Sequence, residues 1–402
     1  MKVSMVILGT RGDVQPMVAL AIELMKRNHE VIFCAPPEHE GWVTKLGVPF
    51  MAFGPPIRKK IKENPSKQKG GVAVKIDPKA GKKMTLDQMT LLPEIIRGSD
   101  LVLGTGIVLG VHTAADAVGA VYRLVAFYPV ILGTTPEDPL KSRMMFGFGR
   151  FAINAAMKGF INKTRKQLNL KPIRDAWENW MGEEVILASD PEVNKAREGV
   201  AFRFKQTGFM LMPSAGEIPP ALDEFISRGT PPVYIGFGSN PIEDPGKYSG
   251  MFSEVQRETG QRLIVSKGWA ELPDSDDQDI HFVDEIPFDL VFPKLAAVVY
   301  HGGTGTMASV VRAGIPQAIF PFMGDQFDNR KQALRLGIAP ETCDFKEMTG
   351  PKLSGAINKC LKEPVFGDNA RILAQKLAGR NGVVENALFI EGLVRPKGTV
   401  HS

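Results

Sequence analysis

The stretch Val3-Ser4-Met5-Val6-Ile7-Leu8-Gly9-Thr10-Arg11-Gly12-Asp13-Val14-Gln15-Pro16 decides the fold. Val3–Leu8 is a short apolar run closed by a glycine, the pattern of a buried strand. After the loop Thr10-Arg11-Gly12, apolar residues recur at helical spacing up to Met25, with Asp13 as the candidate N-cap and Pro16 in the first turn. Asn28 ends that helix and Val31–Cys34 begins a second strand. Strand-like runs return at Leu101–Leu103, Tyr122–Ala126 and Val185–Leu187. Strands separated by helices predict a parallel sheet covered on both faces.

Around Gly208–Pro232 the composition shifts to Pro, Gly and Ser, which places a domain boundary there. A second series then opens with Val233-Tyr234-Ile235-Gly236-Phe237-Gly238-Ser239 and continues with strands at Arg262–Ser266, Ile280–Val283, Ala297–Tyr300 and Gln317–Phe320. With 402 residues the chain exceeds what one ordinary core needs. The expected architecture is α/β: two facing, doubly wound domains with a cleft between them. Their bounds are 1–215 and 216–380, and a C-terminal segment, 381–402, returns toward the first. Pro55–Thr85, rich in Lys, Gly and Pro, is too long for a tight connection and reads as a functional flap or a disordered segment.

Hydrophobic residues make up 44% and charged residues 23%, a globular composition. No apolar run reaches the roughly 18–20 residues of a membrane span, and the apolar start is too short for a signal peptide. Three cysteines, Cys34, Cys343 and Cys360, form no disulfide framework and show no metal-ligand spacing, which points to a reducing, cytoplasmic setting. The net charge of +5 is uneven: residues 1–215 carry +10 and residues 216–402 carry −5. Arg58–Lys83 alone carries +8, and Arg150–Arg174 has seven basic residues and no acidic one. Aromatic residues do not interleave with these lysines, so nucleic acid is not the expected partner. Phe151–Lys163 mixes apolar and basic residues at helical spacing. It suits either an anionic membrane surface or packing on its own domain.

The chemistry-bearing motif is Tyr300-His301-Gly302-Gly303-Thr304-Gly305-Thr306, between an apolar strand and the helical stretch Met307–Ala313. Glycines admit a ligand close to the backbone, and the free amides and dipole of a helix start favour phosphate oxygens. His301 can add a hydrogen bond or partial positive charge. Asp325-Gln326, after the strand Gln317–Phe320, suits sugar hydroxyls, although Asp325 could equally cap a helix around Asn329–Arg335. Gly104-Thr105-Gly106-Ile107-Val108-Leu109-Gly110 misses dinucleotide spacing and reads as a structural turn after its strand. Asp13, at the carboxyl side of the first strand, is either a general base or only a cap.

These residues resemble those of nucleotide-sugar glycosyltransferases with two Rossmann-like domains, the GT-B fold, and within them the bacterial antibiotic glycosyltransferases and sterol glucosyltransferases. The resemblance rests on Gly9–Pro16, Cys34-Ala35-Pro36-Pro37, Pro231–Ser239 and the block Phe292–Gln326. It implies an inverting transfer of a hexose, with UDP-glucose favoured as donor, to a hydroxyl of a hydrophobic small molecule or lipid. By the same resemblance Asp13 is the base, Thr10, Arg11 and Gly12 lie on the acceptor side, and Ser239, His301, Gly303, Thr304, Gly305 and Thr306 line the donor diphosphate. Ile286 meets the nucleotide base, and Asp325 and Gln326 hold the sugar. No metal and no cofactor are expected. Tyr300 and Phe288 stand where relatives often carry histidine, no tryptophan follows Asp325-Gln326, and Gly104-Thr105-Gly106 offers no aspartate for a histidine–aspartate dyad. Two other readings fit the same fold: a UDP-sugar epimerase and a non-catalytic activator of another enzyme.

Overall fold

A computed structural model of the chain describes residues 1–57, 78–214, 216–238, 245–268 and 277–394. Ser239, the basic residues from Arg58 to Lys75 and the predicted boundary at Ala215 lie outside the described residues.

Seven parallel strands build the first sheet: β1 (Lys2–Leu8), β2 (Glu30–Ala35), β3 (Phe50–Ala52), β4 (Leu101–Gly106), β5 (Val121–Ala126), β6 (Val185–Ala188) and β7 (Phe204–Thr207), in the order β3-β2-β1-β4-β5-β6-β7. Val3 faces Val31 on one side and Leu101 on the other. The strand period of two then sends alternate residues of β1 into two cores. Val3, Met5 and Ile7 join Met17, Leu20 and Leu24 of helix Arg11–Lys26. Val6 and Leu8 pack with Val102, Leu124 and Leu187 on the opposite face.

The second sheet holds β8 (Val233–Gly236), β9 (Leu263–Ser266), β10 (Ile280–Val283), β11 (Ala297–Tyr300) and β12 (Gln317–Ile319), also parallel, in the order β10-β9-β8-β11-β12. In each sheet the order reverses beside the strand that leads into a chemistry-bearing loop, β1 in the first and β8/β11 in the second. Loops at such reversals open a crevice at the carboxyl ends of the strands. The architecture is thus two parallel-sheet α/β domains, as expected.

Several boundaries differ from the sequence expectation. Helix Arg11–Lys26 starts two residues before Asp13, with Thr10 as N-cap. Asp13 is therefore not the cap residue but the third helical one, and Pro16 is interior rather than in the first turn. Gly12, whose carbonyl Pro16 cannot bond, is exposed to water, so the missing bond is tolerated. The helix after the His301 loop begins at Thr304, not Met307. Asp325 does not cap a helix around Asn329: it is the first residue of helix Asp325–Arg335, capped by Gly324 at φ 58°. Gly104-Thr105-Gly106 belongs to β4 itself, and the turn follows it. Residues 78–85 of the supposed flap lie in helix Pro78–Thr90.

Helix Gly382–Leu393 packs on the first domain, with Ala387 and Ile390 in the core beside β1. Asn386 donates to the Gly208 carbonyl (3.0 Å) and accepts from Thr207 (2.9 Å). Across the domains, Arg312 makes a two-pronged ion pair with buried Asp190 (2.8 and 3.0 Å), which also accepts from the Phe209 amide (3.1 Å). This fixes helix Thr304–Ala313 against the end of β6.

Candidate active site

Asp13 leaves the first turn of its helix and folds back on the loop that precedes it. The Thr10 amide donates to its Oδ2 at 2.8 Å. Gly9 makes room for that geometry, because a Cβ there would lie 2.1 Å from the same oxygen. Burial raises the Asp13 carboxyl from 3.8 to about 6; the Thr10 hydrogen bond opposes this and the Asp325 carboxylate across the cleft adds to it. The site therefore couples a carboxylate of each domain.

Arg11, one residue into the helix, pairs with Glu285 of the second domain and lies over the Trp42 ring at 5.1 Å. Gly12 is exposed. Ile286, next to Glu285, turns its side chain onto the core of the second domain.

On that side His301 ends the strand run and sits among glycines. A Cβ on Gly303 would be 2.4 Å from its Nε2, and one on Gly238 2.8 Å from its Cε1. Burial pushes the imidazole down from 6.5 to about 4, and a hydrogen bond to the Gly236 backbone opposes the shift. At neutral pH His301 is uncharged, so it offers a hydrogen bond rather than the partial positive charge considered from sequence. Its Nδ1 is buried with no partner among the described residues.

Behind it, Gly302 turns at φ 89°, and Gly303 caps helix Thr304–Ala313. The amides of Thr304, Gly305 and Thr306 are the first three of that helix and have no hydrogen-bond acceptor among the described residues. They form the anion-binding helix start that the glycine motif predicts. The Thr304 hydroxyl is already engaged, donating to Asp325 Oδ2 (3.0 Å) and accepting from Asn329 (3.0 Å). Asn329 is buried and also donates to the Gly302 carbonyl (2.8 Å), tying the loop to helix Asp325–Arg335. Gln326 is buried too, and its amide oxygen accepts from Phe322 (2.8 Å) and Met323 (3.2 Å). Its oxygen holds its own loop, which leaves only the amide nitrogen for a ligand. Burial also raises the Asp325 carboxyl, against the Thr304 hydrogen bond.

Tyr128, two residues past β5, went unread in the sequence. Burial holds its phenol well above the usual range, and the charges of Asp325 and Asp13 add to the effect. Its only sequence signal is a position at the carboxyl end of a strand. Among the described residues no group of three or more His, Cys, Asp or Glu side chains is arranged to hold a metal ion.

Comparison with known proteins bears on this geometry directly. The glycosyltransferase family 28 N-terminal domain matches residues 3–89, and the erythromycin biosynthesis protein CIII-like C-terminal domain matches residues 265–387. The two matched regions contain Asp13 and the His301–Gln326 block respectively. The chain is a glycosyltransferase of the GT-B fold. More particularly, it resembles antibiotic and sterol glycosyltransferases. It is 28% identical to vancomycin aglycone glucosyltransferase of Amycolatopsis orientalis over 100% of both chains. It is 27% identical to sterol 3-beta-glucosyltransferase UGT80B1 of Arabidopsis thaliana, over 95% of this chain and 66% of that one. Among solved structures, the kitacinnamycin glycosyltransferase superposes with a TM-score of 0.73 at 17% identity, covering 98% of this chain and 99% of the other, a likeness of fold.

Proposed function

We propose that the chain transfers a hexose from a nucleotide diphosphate sugar to a hydroxyl of a hydrophobic natural-product or sterol-like acceptor, with inversion and with Asp13 as general base. The observation that carries this reading is that the Asp13 carboxylate of one domain feels the charge of Asp325 of the other, and Asp325 is hydrogen-bonded to Thr304 at the free helix start. In one displacement, the acceptor oxygen forms its bond to the anomeric carbon as the bond to the diphosphate oxygen breaks. The hydroxyl proton passes to Asp13, and the electron pair leaves with the diphosphate. Charge developing there meets the amides of Thr304, Gly305 and Thr306 and a hydrogen bond from His301, so the step calls on no metal. A carboxyl raised to about 6 is a stronger base than an ordinary aspartate and is still mostly ionised at pH 7. Asp325 and the Gln326 amide nitrogen would orient the sugar, and Tyr128 would border the acceptor. Glucose as the sugar and a polycyclic or sterol acceptor are supported by the names of the relatives. UDP as the nucleotide is carried over from the resemblance.

The test is a screen of nucleotide sugars for acceptor-dependent release of nucleoside diphosphate, across a panel of sterols, polyketides and phenols. The product anomer is then assigned by NMR. Inversion, with a transfer rate that collapses in Asp13→Asn at saturating acceptor, supports the reading. Retention, or an unchanged rate in that variant, sinks it.

A further inference from the structure

Helix Leu140–Gln167 has 28 residues, about 42 Å of length. One side packs: Met157 and Ile161 join Met89, Leu109 and Ala176, and Phe146 meets the edge of Trp177 at 5.3 Å. Arg150 pairs with Asp175 and Glu178, and Arg165 with Asp116. The other side is apolar and uncovered. Leu140, Met144, Met145, Phe148 and Phe151 are 65–72% exposed. At about 100° per residue, Leu140, Met144, Phe148 and Phe151 share one sector about 80° wide.

Followed toward the C-terminus, that same sector turns basic. Lys158 and Lys166 fall within it, with Lys141 and Lys163 on its flank. All four lysines are exposed, and none pairs with a carboxylate among the described residues. Residues 140–174 contain no Asp or Glu at all. Of the two readings of Phe151–Lys163, packing on its own domain describes Met157 and Ile161, while Phe151, Lys158 and Lys163 are exposed.

We propose that this face is a docking surface for an anionic lipid bilayer: the apolar half enters the interface and the lysines reach headgroup phosphates. The charge pattern selects this occupant. A second copy paired in parallel would set lysines against lysines, and paired antiparallel would set lysines against methionine and phenylalanine. A lipid interface supplies hydrocarbon and negative charge to one face together. Among the described residues no helix is long and apolar enough to cross a membrane, so the contact is peripheral. The proposal rests on the surface alone and stands whether or not the transfer chemistry is as proposed.

The test is co-sedimentation of the full chain with vesicles of phosphatidylcholine alone or mixed with phosphatidylglycerol, at low and high salt. The expected result is salt-sensitive binding to the mixed vesicles, weakened by about tenfold or more in Phe148→Ser/Phe151→Ser and, separately, in Lys158→Glu/Lys163→Glu/Lys166→Glu. All five side chains are solvent-exposed, so thermal unfolding and transfer to a water-soluble acceptor should not change. Three results would overturn the proposal. One is wild-type protein left in solution with the mixed vesicles. Another is binding undiminished in both variants, which would place the attraction elsewhere on the chain. The last is a solution dimer that Phe148→Ser/Phe151→Ser disperses, without vesicle binding.

Discussion

Asp13→Asn should make the protein more stable and nearly inactive at once. The Asp13 carboxyl stands at about 6 against an ordinary 3.8, and that gap corresponds to about 3 kcal/mol at neutral pH. The sign follows from proton binding. Between pH 4 and 6 the native state holds a proton on Asp13 that the unfolded chain has released. Asp13 by itself therefore stabilises the native state as pH falls through this window, and above pH 6 its ionised side chain costs the native state the full amount. Asparagine carries no charge and can still accept from the Thr10 amide (2.8 Å in the wild type). Its extra N–H group needs a partner in a buried place, which leaves a net gain of about 1–3 kcal/mol. Urea unfolding at pH 7 should show the variant more stable, with the gap closing as pH falls toward 4. Transfer should drop by about 10²–10⁴-fold, and the wild-type kcat/KM profile should carry an acid limb near pH 6. A variant no more stable than wild type at pH 7, with a difference that stays constant down to pH 4, would refute the argument that burial raises this group.

Other perturbations separate the parts of the site. Gly9→Ala places a Cβ 2.1 Å from Asp13 Oδ2, so it should displace the carboxylate and cost about 10²-fold in kcat with little change in donor affinity, read by steady-state kinetics and calorimetry. Asn329→Ala leaves the Gly302 carbonyl without its donor at 2.8 Å. It should cost about 1–3 kcal/mol in urea unfolding and weaken nucleoside diphosphate binding, because the anion loop loses its tie. Asp190→Ala strands Arg312 and the Phe209 amide at a buried domain contact. Denaturation should show a loss of about 3–5 kcal/mol and transitions of the two domains that no longer coincide.

Strands were legible because parallel strands buried on both faces are written as short continuous apolar runs, and β10 (Ile280–Val283) and β11 (Ala297–Tyr300) coincide with their expected spans. Helix starts were less so. Gly303 and Gly324 cap through backbone geometry and Thr10 through a capping box with Asp13, none of which hydrophobic periodicity encodes, so each helix begins earlier than its apolar pattern. The glycine-rich anion loop could be read because its residue types have few other uses. The roles inside it could not: the Gln326 oxygen turned inward on its own loop and the Thr304 hydroxyl held by Asn329 are tertiary facts. Tyr128 comes under the charge of Asp13 only through the placing of β5 beside β4 and β1, and Asp190 meets Arg312 from 122 positions away. Gly9 could be read as the end of a strand but not as the space that Asp13 occupies.

Two of the titratable groups in the cleft, Asp13 and His301, act against each other in the unmodified protein. Burial drives both Asp13 and His301 toward their neutral forms, one up to about 6 and the other down to about 4. Their effects on folding oppose each other. As pH falls from 6 to 4, Asp13 takes up its proton preferentially in the native state and stabilises it. Over nearly the same window His301 protonates preferentially in the unfolded chain and destabilises the native state. Each contribution amounts to about 3 kcal/mol, so these two offset one another, and the difference between wild type and Asp13→Asn isolates the Asp13 slope. For catalysis the effects do not cancel, because they act on different atoms. Desolvation makes Asp13 a stronger base on the acceptor side, while a neutral His301 leaves the leaving group's charge chiefly to the amides of Thr304, Gly305 and Thr306. Positive character from those amides is fixed by the backbone and cannot be titrated away, which suits a site whose histidine burial holds neutral while Asp13 stays mostly ionised at pH 7.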